Sequence, residues 1–495
     1  MAWQGKYDRL FIAGQWVAPD GDERIEVVSP VTEEVIAAVP AATTSDVDRA
    51  VSAAREAFDH GPWPRSSLSE RTGVLEKLVA GLHARDEEMA EIITAEMGCP
   101  IAQSRAIQVT NSRRILEAYL DLAPNYPFRS LRRAETGTAL VVREPVGVVA
   151  AVVPWNMPLA VAMQKLSPAL LAGCTVVLKP SPETPLDAYL LAELLEEVGL
   201  PPGVVNVVPA QRDVSEYLVR HRGVDKVTFT GSTAAGRRIA ELCGRDLRRV
   251  TLELGGKSAA VILDDADLDT TVEKLRMGSF RNSGQVCSLK TRIVVSRRRA
   301  ADVVDRLTAL LATMPVGDPL DPDTQIGPMV SALQRATVEG YIESGRQQGA
   351  RLAVGGRRPA GFDRGWFVEP AVFTDVTPDM RIAQEEIFGP VVSVLTYDDE
   401  AEAVAIANDS SYGLNGSVFT ADLERGLSVA RRMRTGTVEL NGNPAGYHAP
   451  MGGFKSSGIG RENGPEGLEP YVEPKSIGLP ADFAEACLAV ERGGP

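Results

Sequence analysis

From Val146 onward the chain alternates between short, wholly apolar runs and amphipathic stretches, and this alternation restricts the possible fold more than any other feature. "VGVVAAVVPWN" reads as a strand buried on both faces, since a half-exposed strand would place polar residues at every second position. "CTVVLKPS" reads as a second strand of the same kind. "LDAYLLAELLEEVG" follows as an amphipathic helix closed by Gly199. "VVNVVPA" and "KVTFTGS" are the next strands, the latter running into the helix "TAAGRRIAELCG". Strands separated by helices in this way predict a parallel sheet with crossover helices. After "LELGGK" (Leu252 to Lys257) a second series begins with "SAAVILDD", a helix near Asp267 to Phe280, and "TRIVVS". It runs to roughly residue 455 and predicts a second α/β domain.

The first 125 residues read mainly as helices. Ser45 is placed to cap one that carries Val47, Val51, Ala54 and Phe58 on one face, and Val74, Leu75, Leu78 and Leu82 mark another. Arg133 to Gly147 looks like a hairpin strand pair. Tyr471 to Leu479 looks like a lone strand, of the kind that pairs with an exposed edge on another subunit.

At 495 residues and 44% hydrophobic, the chain can form two or three packed domains. A net charge of −14 argues against a nucleic-acid partner, which would require a basic face. No apolar run reaches bilayer length and the N-terminus lacks the pattern of a secretory leader, so a soluble, cytoplasmic protein without a membrane partner is expected. The five cysteines contain no Cys-x-x-Cys pair, which speaks against a local zinc site or a disulfide framework. Cys99, Cys174, Cys243 and Cys487 sit beside apolar or small residues and read as packing thiols. With only His60, His83, His221 and His448 available, no metal centre is expected.

Cys287 differs. In "FRNSGQVCSL" it follows a Gly-Gln turn, either as a buried space-filler or as a nucleophile within reach of a substrate. A nucleophilic thiol needs a base, and the oxyanion it creates needs donors. Glu253 closes the apolar strand "VTLELGG", where it is either a base of raised pKa or a carboxylate on a solvent face. Asn156 is either an amide donor or an Asx turn. His448 would serve a cysteine hydrolase, but nothing links it to Cys287. The turn "TFTGSTAAG" sets Gly231 and Ser232 between strand and helix with Gly236 one turn in, a place for a phosphate, although most such turns carry glycine for geometry alone. Lys179 adds a cation at the same sheet edge. "GIGREN" has no close preceding strand and carries little weight as a phosphate loop.

Taken in order, "PWNMP", "LKPSPETP", "FTGST", "LELGGK", "NSGQVC", "EEIFGP" and "GGFKSSGIGRE" make the chain resemble the NAD(P)-dependent aldehyde dehydrogenase superfamily over nearly its whole length. The resemblance implies two α/β domains with Rossmann-like parallel sheets and a small oligomerisation sheet. It implies a cofactor-binding domain over 1–126 and 148–255, a catalytic domain over 256–455, and bridging segments over 127–147 and 456–495. By the same resemblance Cys287 is the nucleophile, Asn156 the oxyanion donor, Glu253 the base that activates water, and Lys165 a support for proton movement. Trp155, Lys179, Gly231, Ser232, Gly236, Leu254, Glu386 and Phe388 would contact NAD or NADP. Met157, Gln164, Val286, Ser288 and Ala445 would line the substrate pocket. A homodimer or homotetramer acting on a small-molecule aldehyde is implied.

Two departures stand out. Strongly NAD-selective members carry glutamate three residues after the lysine, where this chain has Pro182, so a weaker preference for NAD is expected. Met157, Gln164 and Ala445 stand where aromatics are common, which predicts a wider pocket suited to longer or bulky apolar aldehydes. The sequence does not fix the face on which Arg281 lies. Three rivals remain: a CoA-acylating enzyme, which retention of Glu253 disfavours; a cofactor-free cysteine hydrolase; and a catalytically idle structural protein on the same fold.

Overall fold

The structure, a computed structural model, describes residues 7–480 and Phe483. Cys487 lies outside the described residues. The first large sheet has eight strands in the order Gly458–Ile459, Arg249–Glu253, Lys226–Thr230, Val148–Val152, Thr175–Lys179, Val205–Val207, Leu10–Ile12, Gln15–Val17. Its five central strands are parallel, and the flanking ones run antiparallel. Val148–Val152 and Thr175–Lys179 are buried along their whole length, because helices cover both faces. The chain steps outward from Val148–Val152 in one direction, then returns to lay Lys226–Thr230 on its other side. That reversal opens a crevice at the carboxyl ends of these strands, where ligands of open α/β sheets bind.

The second sheet orders Arg351–Val354, Ala371–Thr374, Val391–Tyr397, Lys290–Ser296, Ser258–Ile262, Gly416–Phe419 and Glu439–Leu440, parallel except at its first pair. A third sheet joins Val472–Leu479, Gly137–Pro145 and Arg129–Ala134 antiparallel. Among the described residues no helix is long and apolar enough to cross a membrane.

Three local expectations need correction. The helix Thr44–Asp59 is capped by Thr43: its hydroxyl accepts from Asp46 N while the Asp46 carboxylate accepts from Thr43 N at 2.8 Å. Ser45 lies inside the first turn and donates to Asp20 instead. Val47, Val51 and Ala54 are buried as the spacing predicts, but Phe58 is half-buried beneath the Arg55 guanidinium. The hairpin starts at Arg129, so Arg133 to Gly147 covers only its turn and return strand. The terminal strand is not lone. All eight residues of Val472–Leu479 pair with the return strand of the same chain, a long-range register that no local pattern announces.

Candidate active site

The loop after Val152 carries Trp155 and Asn156 to the crevice, and Pro158 at the first position of the helix Pro158–Ala172 ends it. Asn156 is held from three directions. Its carbonyl accepts from Gln108 Nε2 and from Asn282 Nδ2, both at 2.9 Å, and its own Nδ2 donates to Gln285 O at 2.9 Å. One side-chain N–H is thereby aimed and the other is left for a ligand. Gln108 belongs to a π-helical stretch, Ser104–Val109, whose wide turn carries it inward.

The segment before Cys287 is tightly determined. Asn282, Ser283 and Gly284 take left-handed conformations in succession, at φ 52°, 55° and 78°. A Cβ on Gly284 would stand 2.1 Å from the Gly389 backbone, so only glycine fits there. The strain at Asn282 and Ser283 is stabilised by the Asn282 N–H donating to Gln103 Oε1 at 2.7 Å and by Gln285 Oε1 accepting from Val330 N at 3.0 Å.

Cys287 is half-buried, and burial foremost pushes its thiol up to about 12, with Glu386 and Glu253 adding to the rise and Arg281 opposing it. Such a thiol is protonated at neutral pH and must lose its proton to a base as it reacts. Glu253 ends the strand Arg249–Glu253 at 2% exposure, and neither carboxylate oxygen has a hydrogen-bond partner among the described residues. Burial, then the nearby Glu462, raises its pKa well above the carboxylate range, against the pull of Lys165 and Arg461. A Cβ on Gly452 would lie 2.7 Å from Glu253 Oε1, so glycine preserves room around the carboxylate.

Behind Glu253 lies Lys165, which the sequence reading named, with a partner, Glu462, that it missed. Lys165 Nζ donates to Glu462 Oε1 at 2.6 Å and to Thr230 Oγ1 at 2.7 Å, with Lys165 and Glu462 both buried. Glu462 stands in "GIGREN", a stretch weighed only as a phosphate loop. A glutamate among glycines after a sheet-edge strand is the signal that could have found it.

Cys287, Asn156 and Glu253 line one cavity of about 640 Å³. Met157, Gln164, Val286 and Ser288 line it too. Ala445 does not, and Pro444 and Tyr447 stand there instead, so Tyr447 supplies an aromatic wall that the sequence did not reveal. Gln164 Nε2 lies 3.3 Å from Met451 Sδ.

A neighbouring cleft of about 440 Å³ holds Trp155, Lys179 and Pro182. Ser232 caps the helix Thr233–Arg245, accepting from Ala235 N at 3.3 Å, and Gly231 N donates to Glu253 O at 3.1 Å. A Cβ on Gly236 would stand 2.4 Å from the Leu254 side chain, so the glycine lets helix and strand end pack closely. Lys179 is buried at its strand end, its amine brought down to about 8 by burial with Glu183 opposing. Glu386 Oε1 accepts from Gly256 N at 3.0 Å, and burial lifts its carboxyl to about 7. Phe388, left-handed at φ 58°, meets Trp155 edge-on at 5.2 Å. A buried lysine and a capped helix start at the strand ends, with a buried carboxylate held at Gly256, fit a dinucleotide.

A crevice that fits a dinucleotide, beside a cavity with a thiol, an amide and a buried carboxylate, is the arrangement of a dehydrogenase. The particular kind follows from comparison with known proteins. The aldehyde dehydrogenase family model matches residues 16–477, and the chain belongs to that family, whose members oxidise aldehydes to carboxylic acids. It is 48% identical over 474 residues to a geranial dehydrogenase of Castellaniella defragrans, covering 96% of this chain and 99% of the relative. It is 43% identical to a betaine aldehyde dehydrogenase of Rhizobium leguminosarum bv. trifolii, covering 94% and 96%. Among solved structures, an aldehyde dehydrogenase of Mycobacterium tuberculosis complexed with NAD+ matches with a TM-score of 0.94 at 46% identity, covering 96% of this chain and 98% of that one. An aldehyde dehydrogenase C mutant of Pseudomonas syringae with NAD+ and octanal matches with a TM-score of 0.92 at 42% identity, covering 95% and 96%.

Proposed function

We propose that this chain is an NAD-dependent aldehyde dehydrogenase in which Cys287 is the nucleophile, Asn156 the oxyanion donor and Glu253 the base. One observation carries the reading: the half-buried thiol, the pinned amide and the unpartnered carboxylate line a single cavity. Cys287 Sγ attacks the aldehyde carbon, forming a C–S bond as its proton passes to a water molecule in the cavity. The second Asn156 Nδ2–H and the Cys287 backbone N–H receive the oxyanion. Lys179, Ser232 and Glu386, with Trp155 and Phe388 flanking, would hold NAD, which would supply the hydride acceptor that takes the sulfur adduct to a thioester. Glu253 then takes a proton from water, whose oxygen attacks the acyl carbon and releases the acid and the thiol. Glu462, Lys165 and Thr230 give that proton a route away from Glu253.

Asn156→Ala is expected to lower kcat by roughly 10²- to 10³-fold, with NAD affinity retained, as steady-state kinetics and cofactor titration would register. The reading as a whole is tested by crossing an aldehyde panel with NAD and NADP and identifying the product. A carboxylic acid formed with reduced nicotinamide supports it, and an acyl-CoA formed only when CoA is present would favour the acylating alternative. Pro182 offers no carboxylate to the adenosine ribose, whereas Glu183 lines the same cleft and accepts from Ser181 Oγ. NAD is therefore the preferred cofactor by a smaller margin than in relatives with glutamate at position 182, and NADP is accepted second. The cavity volume suits aldehydes larger than acetaldehyde.

We also infer a homo-oligomer. The strand Val472–Leu479 has one unpaired edge, and its residues 473–478 are exposed in the single chain. Cys99, Cys174, Cys243 and Cys287 are free thiols, which supports a reducing, cytoplasmic setting.

A further inference from the structure

One buried polar group in the wall of the substrate cavity takes no part in the reaction. Met157, Ala160, Val161 and Gln164 follow one another along a single face of the helix Pro158–Ala172 and its N-cap, and all four line the cavity. Three of them are apolar. The fourth is a carboxamide only 7% exposed. Gln164 Nε2 has a thioether for a partner, Met451 Sδ at 3.3 Å, and thioether sulfur is a weak acceptor. Gln164 Oε1 accepts no hydrogen bond among the described residues. The other uncharged polar groups of the cavity are engaged or within reach of water. Asn156 is held by its bonds to Gln108, Asn282 and Gln285, Thr230 accepts from Lys165, Ser288 accepts from Arg281, and Ser417 donates to Glu439. Asn111 and Tyr447 are only half-buried. Burying a carboxamide against apolar side chains with its acceptor unfilled is costly, so a wall that retains one has a use for it. Its place in the cavity is also defined. Gln164 precedes Lys165, and Met451 precedes Gly452, which borders the Glu253 carboxylate. The amide therefore lies toward the reacting end and away from the mouth.

We propose that the cavity selects aldehydes bearing a hydroxyl close to the carbonyl, with the Gln164 carboxamide as the group that holds it. A hydroxyl both donates and accepts, and the amide matches both halves: Oε1 accepts from the O–H while an Nε2 N–H donates to its oxygen. An ether or ketone oxygen in the same place only accepts and leaves Oε1 unfilled. An unsubstituted carbon chain leaves the whole amide without a strong partner, and a site of that kind discriminates against it. Met451 is flexible enough to give up Nε2 to the substrate and repack. Met157, Ala160 and Val161 receive the carbon skeleton along the rest of the face. The inference rests on Cys287 as nucleophile and sharpens that reading to a substrate class.

The test measures kcat/KM on the full-length protein with NAD for straight-chain aldehydes of equal carbon number: unsubstituted, α-hydroxy, β-hydroxy and ω-hydroxy. The native protein is expected to prefer an α- or β-hydroxyaldehyde to the unsubstituted and ω-hydroxy chains. In Gln164→Met, a swap of similar volume, the ratio of the preferred hydroxyaldehyde to the unsubstituted one is expected to fall by roughly 10- to 100-fold, through KM, with Gln164→Asn recovering part of it. A native preference for the unsubstituted or ω-hydroxy chain would overturn the inference. So would a ratio that Gln164→Met leaves unmoved while all substrates slow alike, which would assign the amide to helix packing or to the neighbouring Lys165. Should Gln164→Met fail to fold, the native ratios and Gln164→Asn decide between the same outcomes. If the native protein oxidises no aldehyde at all, the nucleophile assignment falls and the inference with it. An active native protein without hydroxyl selectivity overturns the inference alone.

Discussion

Replacing Cys287 by alanine is expected to lower reduced-nicotinamide formation by on the order of 10⁴- to 10⁶-fold, the scale seen when a covalent nucleophile is removed from its constellation. The size of the effect follows from the geometry. Asn156 and the backbone N–H at position 287 are placed to receive an oxyanion, but no other side chain lining the cavity carries a thiol to create one. Direct hydride loss from a hydrated aldehyde would have to proceed without the sulfur adduct. The variant should keep its fold and bind NAD, since the cleft around Lys179 and Ser232 does not depend on the sulfur. Stopped-flow and steady-state absorbance measurements on the two proteins give the comparison directly. An alanine variant that turns over at the native rate would remove Cys287 from the chemistry.

Glu253→Gln should separate the two halves of the reaction. The amide keeps the shape of the carboxylate but cannot take a proton from water, so a burst of one reduced nicotinamide per site should be followed by a steady rate lower by roughly 10²- to 10⁴-fold. The pH dependence has a definite sign. Only ionised Glu253 can act as base, and burial with Glu462 nearby raises its pKa. Thioester hydrolysis should therefore speed up as pH rises through that raised value, and the glutamine variant should lose this limb. A variant with no burst and an unaltered pH profile would place the base elsewhere.

Much of this site was legible in the sequence because its parts sit where strands end. Asn156, Lys179 and Glu253 each follow or close an apolar run, and an apolar run that stops at a polar residue beside proline or glycine can be read locally. What escaped was set by contacts distant along the chain. Glu462 and Lys165 are 297 positions apart, and nothing near "GIGREN" indicates that a lysine on another helix awaits it. Tyr447 was passed over for Ala445 because the loop containing both has no periodicity to assign a facing. Arg281 was visible as a residue but not as an orientation, since the backbone leaves the helical conformation at Phe280 (φ −123°) and at Arg281 itself (ψ 150°). The cap at Thr43 was displaced by two positions because Thr43 and Ser45 are equally good formers, and only Asp46 three residues on from Thr43 distinguishes them.

The placement of Glu462 also bears on how the protein is made. Both large sheets draw almost all their strands from residues that emerge from the ribosome before Gly458, so the thiol-bearing half can fold while synthesis continues. Until the last stretch threads back along Arg249–Glu253, however, Lys165 has no carboxylate opposite it and the edge beside Glu253 is bare. A nascent chain would hold its cysteine in position without the route for protons behind it. Glu462 thus arrives late, on the same segment that builds the third sheet.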